Sequence, residues 1–151
     1  MTTFRFRLDR LLDLRSRKER QQAEMLGRAL RDETASREAL EQAQARLGAA
    51  REQAAPEPGR LTVAGTLRNL GLTVAAAMTR RDAAAVSQSE AESALETERE
   101  RYEAAQRDRR VIERLREQRL EDWTRETDRK EQQEMDGLAL DRHRRQREER
   151  L

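Results

Sequence analysis

The stretch VAGTLRNLGLTVAAAMTRRDAAAVSQSEAESALETERERYEAAQRDRRVIERLREQRLEDW, residues 63–123, decides the fold. Read at alternating steps of four and three, it gives Val63, Leu67, Leu70, Val74, Ala77, Arg81, Ala84, Gln88, Ala91, Leu95, Glu98, Tyr102, Ala105, Arg109, Ile112, Arg116, Arg119 and Trp123. Twelve of these eighteen are apolar, in a chain that is 35% hydrophobic, and the phase never slips. That is the signature of one long helix with a single apolar seam. It argues against disorder, and against reading the β-branched LTV pieces as strands.

Upstream lies one clear break, AAPEPG at 54–59. Two prolines and a glycine so close together end a helix and reverse the chain. Thr62 is placed to cap the second helix. Before the break the same spacing gives Leu12, Arg15, Glu19, Gln22, Leu26, Ala29, Glu33, Ser36, Leu40, Ala43, Leu47 and Ala50, polar at first and apolar later. The pattern predicts an all-α fold, a long antiparallel two-helix coiled-coil hairpin with unequal arms. Residues 1–151 form a single coiled-coil domain, with helix one at about 4–54, the turn at 55–61 and helix two at about 62–147. A turn centred in the break makes the numbers of facing residues total about 115. Leu47 then meets Leu67 and Leu70, Leu40 meets Val74, Glu33 faces Arg81, and Arg15 faces Glu98. At 1.5 Å per residue the first helix spans roughly 75 Å and the second roughly 125 Å. Residues beyond about 112 therefore have no partner helix in the chain.

Composition narrows the function. The chain has 151 residues, of which 41% are charged and 3% aromatic, and no Cys. Ala, Glu, Arg, Leu and Gln dominate, the bias of long helices. Basic and acidic residues number 32 and 30, too even a balance to make a strong field for phosphate backbones or anionic lipid. The lack of Cys rules out disulfides and zinc-thiolate sites. The most apolar stretch, 61–78, holds Arg68 and Asn69 at its centre, so no direct membrane span is expected. The start, MTTFRFRLDRLL, lacks an uninterrupted apolar run and reads as no cleaved signal.

No catalytic pattern emerges: there is no phosphate-binding Gly loop, no nucleophile elbow and no metal-ligand spacing, so neither cofactor nor metal is expected. His143 is the one histidine, within DRHRRQ, and reads as a solvated surface residue. The basic end DRHRRQREER raises nucleic-acid binding as an alternative, but Asp141, Glu148 and Glu149 interrupt it and no leucine zipper follows. The seam stops at Trp123, the only Trp. The FRFRL start is expected to bend over Val111 and Ile112 but to reach Trp123 poorly. A Trp buries 150–250 Å², worth up to several kcal/mol, so an uncovered Trp123 is a candidate docking residue. In KEQQEMDGLALDRHRRQ, residues 130–146, Met135 and Leu138 share a face that nothing in the chain covers. Gly137 lowers helix propensity by about 1 kcal/mol, so this arm is expected to fray until a partner orders it. Around 61–78, Leu72 and Met78 fall off the seam and predict a second contact surface.

FRFRLDRLLDLRSRKERQQAEMLGRAL at 4–30 and RLREQRLEDWTRETDRKEQQEMDGLALDRHRR at 114–145 flank the hairpin break. The first opens aromatic-x-aromatic-x-Leu-x-x-Leu-Leu, and the second contains Lys-x-x-x-x-Met-Asp-x-x-Ala-x-x-Arg. With the break between them they resemble the flagellar export protein FliJ family over nearly the whole length. The resemblance implies an antiparallel coiled coil without an active site, cytoplasmic and peripheral at the inner membrane. It implies a stalk similar to that of rotary ATPases, entering the hexameric ring of the flagellar export ATPase and promoting its assembly. It also implies coupling to the export gate membrane protein and contact with export chaperones. On that view Phe4, Phe6, Leu8, Ile112, Leu115, Leu120, Trp123, Met135 and Leu138 contact the ring, and Leu67, Leu70, Leu72, Val74 and Met78 contact the gate. The equivalent stalk of a virulence injectisome is the alternative within this class.

Overall fold

The computed structural model describes residues 3–55 and 63–148. It contains two helices, α1 (Asp9–Ala54, 46 residues) and α2 (Ala64–Glu148, 85 residues), packed against each other, with no strand among the described residues. The expected turn at Pro56–Gly59 and the cap at Thr62 lie outside the described residues. None of the helices is long and apolar enough to cross a membrane.

The packing follows the seam. All twelve seam positions of α1 from Leu12 to Ala50 are buried or half-buried, and so are thirteen successive seam positions of α2 from Leu70 to Ile112. Leu47, Ala50, Leu95 and Ala105 form the most enclosed core. Two helices alone leave solvent along both flanks of their contact. Accordingly, no side chain among the described residues reaches complete burial.

Two compact units can be distinguished along this pair of helices. The first is Lys18–Ala105. Here Glu33 is only 3% exposed, although it is a carboxylate at a seam position. Its Oε1 accepts a hydrogen bond from Arg37 one turn along the same helix, and that bond raises the Arg37 guanidinium pKa, with Glu41 and Glu92 adding smaller attractions. Arg81, expected opposite Glu33, instead pairs with its neighbour Asp82 at 3.1 Å. Val63 and Leu67, at the start of the seam, are 74% and 52% exposed, so Leu67 does not sit in the core beside the enclosed Leu47. Burying a carboxylate costs more than a single flanking guanidinium returns. Replacing Glu33 by Leu should therefore stabilise the protein by about 1–3 kcal/mol, read as a higher urea midpoint.

The second unit comprises Met1–Arg17 and Gln106–Leu151. Arg15 Nη1 meets Asp108 Oδ2 at 2.5 Å, and Arg116 Nε lies 3.5 Å from Asp9 Oδ1. Facing residue numbers here total 123 and 125, which corrects the expected register by two to three helical turns. The expected Arg15–Glu98 pair is absent, and Glu98 is bound by Arg101 within α2 at 2.5 Å. The turn-centred estimate assumed both helices pair from their first residue. Val63 and Leu67, 74% and 52% exposed, do not pair in that way.

Helix one starts later than expected, at Asp9 and not near residue 4. The Leu8 carbonyl accepts the first helical bond from Leu12 N–H at 2.9 Å, and Asp9 places negative charge where the helix dipole favours it. Thr3–Phe6 have no regular secondary structure, and Asp9 N–H closes a turn on the Phe6 carbonyl at 3.3 Å. At the other end α2 continues through Gly137 to Glu148. From Asp128 to Gln146 every residue is exposed. The helicity of this arm rests on its own neighbours, such as Lys130–Glu126 at 3.1 Å and Gln132–Asp136 at 2.9 Å. Such pairs contribute about 0.2–0.5 kcal/mol each.

Candidate functional site

The site is built in the second unit from the segment before α1 and the α2 face from Leu115 to Glu126. FRFRL alternates strictly, and exposure follows the alternation: Phe4, Phe6 and Leu8 are half-buried while Arg5 and Arg7 face solvent. A period of two belongs to extended chain, which covers about 3.3 Å per residue against 1.5 Å in a helix. Phe4–Phe6, outside helix and turn, therefore reach further along α2 than a helix would.

It reaches Trp123. The Phe4 and Trp123 ring centroids are 6.0 Å apart at an interplanar angle of 56°, a tilted pair of the kind aromatic quadrupoles favour. This corrects the expectation that the N-terminus covers Val111 and stops short of Trp123. Val111 is 63% exposed, and the strap lies beyond it. The register offset and the non-helical backbone both act in that direction.

Phe4, Phe6, Leu8, Leu115 and Trp123 line a groove of about 700 Å³. Its charged rim, which the sequence pattern did not single out, comprises Arg5, Arg7, Arg119, Asp122 and Glu126. The signal for it was available, because Arg119, Asp122 and Glu126 lie within one turn of Trp123 on the same helix. Of the other expected ring contacts, Ile112 is half-buried on the seam and outside the groove, and Leu120 is exposed and does not line it. Met135 and Leu138 are separate, 64% and 66% exposed on the unpartnered arm. The expected gate residues divide as well. Leu70 and Val74 are half-buried on the seam, whereas Leu67, Leu72 and Met78 are exposed.

Because Trp123 is the only Trp, its emission reports this site alone. Phe4→Ala should shift the emission to longer wavelength and open the indole to quenchers, with helicity by circular dichroism unchanged.

The groove is open, apolar at its floor and lined by no nucleophile, histidine or metal-binding set. Among the described residues no group of three or more His, Cys, Asp or Glu is placed to hold a metal. No curated protein and no solved structure matches the chain. The family described as Flagellar FliJ protein matches residues 4–148, which include both halves of the groove and the exposed arm. This chain belongs to the flagellar FliJ family and is a flagellar protein-export component.

Proposed function

We propose that the chain is a non-enzymatic stalk and adaptor of the flagellar export apparatus, working by contact. Its aromatic groove and its exposed arm enter the hexameric ring of the export ATPase and promote assembly of that ring. The observation that carries this reading is the single helix from Asp128 onward, with Met135 and Leu138 uncovered, next to a groove floored by Phe4 and Trp123. A lone helix can be gripped by several subunits at once, and buried aromatic anchors supply most of the energy in such contacts. The exposed Leu67, Leu72 and Met78 serve the export gate membrane protein, which would hold the chain at the cytoplasmic face of the inner membrane. Export chaperones are further partners in this reading.

The test is stimulation of the purified export ATPase by the full chain. Trp123→Ala should reduce stimulation at least tenfold at limiting protein, since removing an aromatic hot spot costs about 2 kcal/mol or more. Leu72→Ser with Met78→Ser should leave stimulation intact and weaken binding to the gate. Unchanged stimulation by Trp123→Ala would refute the assignment of the groove to the ring.

A further inference from the structure

The exposed arm carries a pattern of its own. Stepping by three and four along one face gives Asp128, Glu131, Met135, Leu138, Arg142 and Arg145. All six are exposed, and none is engaged in an ion pair or side-chain hydrogen bond by another described residue. The two acidic residues lie together on one side of the apolar pair, and the two arginines on the other. Like charges one turn apart weaken an isolated helix, so this segregation is unfavourable for the arm alone. It becomes favourable against a helix with the opposite order.

The chain itself supplies that helix. In an antiparallel pair of arms Asp128 faces Arg145 of the second copy, Glu131 faces Arg142, and Met135 faces Leu138. The twofold axis repeats each contact, giving four ion pairs around an apolar centre. A parallel pair would set all of these charges against their own kind. We propose that two copies of the chain associate through this face as an antiparallel pair of arms. Met135 and Leu138 are then covered, so a paired copy cannot offer them to the ring.

The contact spans about 27 Å of helix and has few apolar residues, so it is weak, with half-association at roughly 0.1–1 mM. Each exposed ion pair adds a factor of about 1.5–5 to association. At the rim Glu134 approaches Asp141 of the second copy, a like-charge meeting that Glu134→Lys would reverse.

Sedimentation equilibrium of the full chain at low ionic strength tests this. The wild type should form dimers that are lost at about 1 M salt, where the Debye length falls to about 3 Å. Two charge-uniform variants decide the geometry: Asp128→Arg with Glu131→Arg, and Arg142→Glu with Arg145→Glu. Each alone should remain monomeric with unchanged helicity, while their equimolar mixture should pair at least as well as the wild type. Glu134→Lys should tighten pairing several-fold. A wild type that stays monomeric throughout this range overturns the proposal. So does a dimer that both charge-uniform variants retain, because the contact would then lie elsewhere.

Discussion

Leu95→Ala should destabilise the protein by about 2–3 kcal/mol, measured as a fall in the urea midpoint at unchanged slope. Leu95 is only 6% exposed, among the most enclosed large side chains described, and it faces a core one layer thick. The expected value lies in the lower part of the usual Leu→Ala range because two helices can close part of the cavity. Leu72→Ala is the matched comparison. Leu72 is 63% exposed and off the seam, so the same truncation should change stability by less than about 0.5 kcal/mol. Similar losses at the two positions would mean that the apolar seam does not hold the helices together.

Removal of residues 128–151 should have the opposite profile. No described residue from Asp128 to Gln146 is buried against anything, so the midpoint of unfolding should stay nearly constant. Stimulation of the export ATPase should fall at least tenfold and motility should be lost, because Met135 and Leu138 go with the arm. A large drop in stability would make the arm structural. Unchanged stimulation would show that the ring does not read it.

The seam could be read residue by residue in the sequence, because a period of 3.5 leaves no freedom once Leu70, Val74, Ala77, Ala84, Ala91 and Leu95 are aligned. Register was less legible. A seam rich in Ala accepts many offsets with similar burial, and the two polar matches, Glu33 with Arg81 and Arg15 with Glu98, satisfied an offset that the helices do not adopt. Glu33 and Glu98 each found an arginine on their own helix, which requires no agreement between helices.

The groove was legible in its members but not in its geometry. Phe4, Phe6, Leu8, Leu115 and Trp123 all stand out as large apolar residues in a charged chain. What placed Phe4 on Trp123 was the register offset together with the alternation of FRFRL, a period-two signal adjoining a helical one. Arg7 and Leu8 form a turn, so only Phe4–Phe6 run outside helix and turn, a gain of at most roughly 5 Å over the same three in a helix, about one turn of α2.

The arm and the groove, and not the α2 segment around Leu72, are the surfaces we assign to the ATPase ring. Site-specific photo-crosslinking in the assembled complex addresses this directly, with a photoreactive residue placed in turn at Leu138, Arg119 on the groove rim, Leu72 and Ser93. Crosslinks to the ATPase are expected from positions 138 and 119, with only background from Leu72 and Ser93. Crosslinks from Leu72 to the ATPase, with none from Leu138, would contradict the assignment.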